Sequence, residues 1–132
     1  MISIPQYIVK AIIEQANNEL PNEACGLLVG SEGRVEKRFA LTNIDHSPEH
    51  FSFDPAEQFN VLRDARKEGL QILANYHSHP STPSRPSQED IRLAYDPNIL
   101  YLIVSLAGEL PVLKAFQIQN GQSQEVEINV TL

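Results

Sequence analysis

The sequence holds a single cysteine, Cys25, so no disulfide can form within the chain, and a reducing, cytoplasmic setting is expected. Positive charge is scarce too: 10 Lys and Arg stand against 17 Asp and Glu, a net charge of −7. The largest basic groupings, Arg34/Lys37/Arg38 and Arg63/Arg66/Lys67, are small and interleaved with acids. With no basic stripe to displace counterions from phosphates, a nucleic-acid partner is not expected. The longest apolar run, 98–107, falls well short of the roughly 20 residues a crossing helix needs, so no membrane partner is expected either. The opening MISIPQYIVK lacks the basic and then apolar succession of a signal peptide, and none is expected. No internal repeat, low-complexity tract or linker interrupts the chain. What is present is 132 residues, 42% of them apolar and 20% charged. That is the composition of an ordinary folded domain, expected to span 1–132 and able to bury about two thirds of its unfolded surface.

The pattern of apolar residues predicts a coarse succession of elements. Ile4, Tyr7, Ile8, Ala11, Ile12, Ala16 and Leu20 recur at three- and four-residue steps, which predicts an amphipathic helix with Pro5 in its first turn and Pro21 at its end. Residues 25–30 read as an apolar strand and 34–41 as a second, with a turn at 30–33. The polar stretch 42–53 reads as irregular. Asp54-Pro55-Ala56-Glu57 has the residue order of a helix start, and Gly69 stops that helix after about Glu68. Residues 71–76 read as a strand. Ser87 caps a short helix reaching about Tyr95. Strands follow at 99–106 and 112–119, then a hairpin turn at Asn120-Gly121 and a last strand, 125–132, with Val126, Ile128, Val130 and Leu132 on one face. Helices alternate with strands early and hairpins close the chain, so an α/β or α+β domain with a mixed sheet is expected.

Chemistry concentrates in NYHSHPSTPSRPSQED, residues 75–90. His77 and His79 follow a predicted strand at a spacing of two, so their side chains share a face. Asp90 comes eleven residues after His79, beyond a loop stiffened by Pro80, Pro83 and Pro86. Two histidines and one carboxylate suffice for a hydrolytic zinc, which keeps its fourth position for water. Each residue also has a plainer reading. Paired histidines at a strand end are often hydrogen-bonded surface groups. Ser87-x-x-Asp90 fits a capping box, in which Asp90 only reaches back to the helix start.

His-x-His-Pro, a ten-residue gap and then Asp, with Ser three residues before that Asp, resembles the JAMM (MPN+) metallopeptidases. The segment PNEACGLLVG, 21–30, is similar to the family's upstream segment, with Glu23 at its glutamate position. The resemblance covers most of the chain and is close to stand-alone bacterial and archaeal members. It implies a cytidine-deaminase-like fold, a mixed, curved sheet flanked by helices. It implies that His77, His79 and Asp90 hold Zn²⁺, that Glu23 accepts a proton from the zinc-bound water and passes it to the leaving amine, and that Ser87 donates to the oxyanion. It also implies a substrate: the C-terminal Gly-Gly of a small ubiquitin-like sulfur-carrier protein, in amide or isopeptide linkage. The stretches 42–53 and 92–98 are the candidate substrate-gripping insertions, with Phe51 and Phe53 expected to cover the substrate tail.

Other readings stay open on sequence alone. Some relatives of the family are non-catalytic binding modules. Cys25 with a histidine would suit nucleophilic catalysis, although its apolar context, Ala24-Cys25-Gly26-Leu27-Leu28, reads as core. His46 and His50, with Asp45 and Glu49, could form a second metal site, but a polar loop is the favoured reading. A zinc deaminase would need a P-C-x-x-C motif, which one cysteine cannot supply.

Overall fold

The computed structural model describes all 132 residues. Its elements are β1 (Ile2–Pro5), α1 (Gln6–Asn18), β2 (Cys25–Ser31), β3 (Arg34–Leu41), α2 (Pro55–Lys67), β4 (Gln71–His79), α3 (Gln88–Arg92), β5 (Leu100–Ser105), β6 (Val112–Gln119), β7 (Gln122–Val126) and β8 (Ile128–Thr131). The eight strands form one mixed sheet in the order β7-β6-β5-β4-β2-β3-β1-β8. β7 and β8 lie at opposite ends of that order, yet only Glu127 separates them in sequence. The sheet must therefore curl until its two edges approach, which makes it a near-barrel. The Glu127 carbonyl accepts from the Ile2 N–H at 3.1 Å and holds that corner.

The α+β class with a mixed, curved sheet agrees with expectation. The two ends of the chain do not. Residues 2–5 form a strand, parallel to β3 and β8, where a helix start was expected; Pro5 ends the strand and Gln6 opens the helix. Tyr7 and Leu20 fit the helical period but stay exposed, because α1 buries only Ile8, Ile12 and Ala16. The expected last strand is two strands, β7 on β6 and β8 on β1. That break removes the uniform alternation: Val130 and Leu132 are exposed. α3 stops at Arg92, short of Tyr95, and β4 runs three residues past Tyr76 to His79.

Local chemistry accounts for most junctions. Both two-residue hairpins, Glu32-Gly33 (φ 52° and 75°) and Asn120-Gly121 (φ 54° and 74°), have the paired positive φ whose twist suits antiparallel strands. Asp54 caps α2, its carboxylate accepting from the Ala56 N–H at 2.8 Å.

The period of two in β4 decides what lies on each side of the sheet. Ala74 and Tyr76 join Ile8, Ile12, Ala16, Leu28, Leu102 and Val104 in the main core beneath α1. Asn75, His77 and His79 face the opposite way. There Cys25, Leu27 and Val29 of β2 pack under Val61 and Ala65 of α2. Tyr101, Ile103, Phe116 and Ile118 form a separate cluster that no long helix covers.

Candidate metal centre

β4 delivers His77 and His79 to one point, and both are buried. Their Nε2 atoms lie 3.1 Å apart, and Asp90 Oδ2 lies 3.2 Å from the first and 3.1 Å from the second. All three atoms fall within 4.8 Å of one another. Asp90 is brought back by a loop stapled along its length. His79 Nδ1–H donates to the Pro83 carbonyl at 2.9 Å, Ser84 Oγ to the Ile103 carbonyl at 2.7 Å, and Ser105 Oγ to the Thr82 carbonyl at 2.6 Å. The chain then turns into α3 through a complete capping box. Asp90 N–H donates to Ser87 Oγ at 3.0 Å, and Ser87 N–H donates to Asp90 Oδ2 at 2.9 Å. The two readings of Asp90 are thus compatible, because the oxygen that closes the cap also faces both histidines.

Burial and mutual hydrogen bonding move all three groups from their ordinary ionisation. Burial pushes the His77 imidazole below its ordinary pKa. Burial also lowers that of His79, but hydrogen bonding to Asp90 and to the Pro83 carbonyl outweighs it and leaves the net shift upward. For Asp90, burial acts upward, and the hydrogen bonds with His77 and His79 overcome it and hold the carboxyl well below the usual carboxylate range. Two imidazole nitrogens and a carboxylate oxygen form a donor set that fits zinc, and three protein ligands leave one position open.

Glu23 sits just before β2, 5% exposed. Its backbone is pinned from two directions: its N–H donates to the Ser47 carbonyl at 2.9 Å, and its carbonyl accepts from Asn43 Nδ2 at 3.1 Å. The next residue, Ala24, is clamped by Ser78, which lies between the two histidines in sequence. Ser78 Oγ accepts from the Ala24 N–H at 2.7 Å, and Ser78 N–H donates to the Ala24 carbonyl at 3.0 Å. Burial raises the Glu23 carboxyl to about 8, with the charges of His79 and Asp90 acting on it in opposite directions. A carboxyl that exchanges its proton near neutral pH suits a general acid–base role.

Ser87 stands exposed at the head of α3. Phe51 stacks on the His77 ring at a centroid distance of 4.6 Å, and Phe53 meets Phe51 edge-on. A cavity of about 400 Å³ opens beside His77 and Asp90. Phe51, Ser52 and Phe53 wall one side, Leu93, Tyr95 and Asp96 another, and Tyr101 and Ile103 are among its other linings. Both stretches singled out as insertions therefore contribute to one groove.

Other candidates separate from this site. Cys25 is fully buried, its Sγ–H directed at the Leu41 carbonyl at 3.7 Å, and burial pushes its thiol up to about 12. Asp45, His46, Glu49 and His50 do not converge as metal ligands. Asp45 instead accepts from Ser52 Oγ, and His50 Nδ1–H donates to Glu89 at 2.6 Å, tying the 42–53 loop to α3. Sequence reasoning missed Asn43, whose side chain makes four hydrogen bonds, to Glu23, Asp45, His50 and Ser52. The only available signal was an asparagine in a loop, which is too common to single out. It also missed Ser78, whose place inside the motif was a signal of sorts.

Comparison with known proteins points one way. Residues 5–119 match the family model described as prokaryotic homologs of the JAB domain. The chain is 34% identical over 126 residues to the CysO-cysteine peptidase of Mycobacterium tuberculosis, covering 93% of this chain and 86% of that one. It is 35% identical over 106 residues to the desampylase of Pyrococcus furiosus, covering 80% and 75%. A solution structure of a protein from Desulfitobacterium hafniense superposes with a TM-score of 0.90 at 48% identity, covering 99% of this chain and 93% of the other. A JAB1/MPN domain protein from Archaeoglobus fulgidus shares the fold, with a TM-score of 0.66 at 24% identity over 100% and 98%.

Proposed function

This chain belongs to the prokaryotic JAB family and is a metallopeptidase; from that premise we propose a zinc-dependent hydrolase that cleaves amide or isopeptide bonds after the C-terminal Gly-Gly of small ubiquitin-like sulfur carriers. The observation that carries the reading is the convergence of His77 Nε2, His79 Nε2 and Asp90 Oδ2 beside a buried carboxyl with a raised pKa. Zinc held there by His77, His79 and Asp90 would supply a Lewis acid and would lower the pKa of a bound water to roughly 7. Glu23 takes a proton from the attacking water and passes it to the leaving amine; burial raises its carboxyl, and a bound cation nearby would draw it back toward the ionised form that accepts the proton. The Ser87 hydroxyl accepts from the Asp90 N–H, which leaves its own proton free to meet the oxyanion as charge develops.

The relatives' names support the substrate class: one is named a CysO-cysteine peptidase and another a desampylase. The groove suits such a tail. An extended Gly-Gly passes a narrow opening without side-chain clashes, and Phe51 and Phe53 line the wall it must pass. The test is a panel of sulfur carriers bearing C-terminal extensions, incubated with the enzyme and read by intact mass. Cleavage after Gly-Gly, abolished by chelation and by valine at the penultimate glycine, is expected. Processing of the valine carrier at the wild-type rate would overturn the narrow-groove model and the substrate class with it.

A further inference from the structure

Two buried side-chain nitrogen or oxygen atoms in the molecule have no hydrogen-bond partner, His77 Nδ1 and Asn75 Oδ1. They are two residues apart on the same face of β4, and both residues line the cavity beside the metal centre. Their chemistry is complementary. When His77 presents Nε2 to a metal, its neutral ring carries the proton on Nδ1 and needs an acceptor there. Asn75 Oδ1 is an acceptor and needs a donor. Neither group reaches a hydrogen-bond partner in the structure, so the two do not bond directly, and one water between them would serve both. Both residues line the cavity, and the two orphaned groups supply the polar partners that an ordered buried water requires.

Two contrasts support a purpose for the pair. His79, the other imidazole, has its outer partner already: Nδ1–H donates to the Pro83 carbonyl. His77 has the Phe51 ring against its face and nothing on Nδ1. Asn75 is itself out of place by composition. It pairs across the sheet with Leu27 and Tyr101, both members of hydrophobic clusters. Asparagine is also a poor strand former, so packing does not explain it.

We propose that Asn75 is a positioning residue for His77: a water on the cavity floor accepts from His77 Nδ1–H and donates to Asn75 Oδ1, fixing the tautomer and ring angle that aim Nε2 at the metal. The inference rests on the metal-centre reading of His77. Partners of this outer kind typically contribute about 10–100-fold in metal affinity or activity.

The test measures zinc affinity by chelator competition, together with the His77 Nδ1–H resonance of the zinc-loaded protein. Asn75→Leu keeps approximate size and removes the acceptor. Asn75→Ala is run beside it, so that a misfit of leucine does not decide the matter. Both should weaken zinc binding by about 10–100-fold and lose the protected Nδ1–H signal. Asn75→Asp, which keeps an acceptor oxygen, should restore both. Unchanged affinity and an unchanged Nδ1–H signal in the leucine and alanine variants would overturn the proposal while leaving the metal centre intact. A raised KM with unchanged zinc affinity would overturn it as well, and would move Asn75 to the substrate. A wild-type protein that takes up no zinc would instead sink the metal-centre reading from which the proposal starts.

Discussion

The two sides of the sheet are built to different specifications. Beneath α1 lies one continuous cluster of twelve buried residues, from Ile2 to Ala115. Its one polar member, the Tyr76 hydroxyl, is tied to Gln15 and Arg38. On the other side the packing splits into two smaller clusters, one under α2 and one that no long helix covers, and the seam between them holds both histidines, the cavity and both unpaired polar atoms. β4 belongs to both sides at once: Ala74 and Tyr76 face the continuous core, and Asn75, His77 and His79 face the seam. A strand anchored on one side by dense packing can hold polar ligands rigidly on the other, where packing is given up for chemistry.

The sharpest test of that division exchanges damage between the sides. His79→Ala or Asp90→Ala should lose stoichiometric zinc and all measurable hydrolysis, read by elemental analysis and turnover. Leu28→Ala, in the core beneath α1, should cost about 2–5 kcal/mol of unfolding free energy by denaturant titration and still bind zinc when folded. If Asp90→Ala kept its zinc and lost only stability, its capping role would be the whole of its role, and the division would fail at its centre.

Ser87 comes next in size. Ser87→Ala should lower kcat by roughly 10²–10³ with zinc content unchanged. It should also lose about 1 kcal/mol from the cap of α3. A lowered melting temperature with an unchanged kcat would leave Ser87 as a cap alone.

Glu23 offers a pH-dependent version of the comparison, because only the seam side carries a carboxyl raised by burial. Its pKa is 4.5 in an unfolded reference and about 8 in the fold. Below pH 4.5 both states hold the proton. Above it the unfolded chain releases a proton that the folded chain keeps, so stability present at low pH is lost as pH rises through the window to about 8. The full span is on the order of a few kcal/mol, since each pKa unit corresponds to about 1.4 kcal/mol. In chelator-treated protein, Glu23→Gln should flatten this loss and melt higher than wild type near pH 8, while hydrolysis by the zinc-loaded variant is largely gone. Parallel melting curves for the two proteins from pH 5 to 8 would show that Glu23 is not held in this state, and equal turnover would remove it from the reaction.

The legible parts of this molecule were those written in local code. The caps of α2 and α3, both hairpin turns, the strand Arg34–Leu41 and the face shared by His77 and His79 follow from neighbours in sequence. What stayed hidden depends on distant partners. Nothing near residue 127 announces that β7 pairs with β6 while β8 crosses to β1. Ile4 and Pro5 read as a helix start because Ile4 falls on the helical period, and only pairing with Ile128–Thr131 makes residues 2–5 a strand. At the site, the spacing of residues 77–90 shows candidate ligands but not what orients them. Phe51 against His77 and the bonds of Asn43 arise from a loop whose course no period describes.

The smallest expected effect comes from Cys25, and its smallness is informative. Cys25 pairs in register with His77 across β2 and β4 and faces the same side of the sheet. It nevertheless lies in the half that α2 covers, packed with Leu27, Val29, Leu41, Val61 and Ala65. If cover by α2 is what separates core from site, proximity to a ligand should not matter. Cys25→Ala should then cost roughly 1 kcal/mol in stability, a typical value for a small buried truncation. Zinc content and kcat should stay at the wild-type level. Alkylation of the native thiol should be slow, because burial keeps it protonated and out of contact with solvent. Fast, stoichiometric inactivation by a thiol reagent that leaves zinc in place would restore the cysteine to the chemistry. The boundary between the two halves of this face would then have to be redrawn on the β2 side of His77.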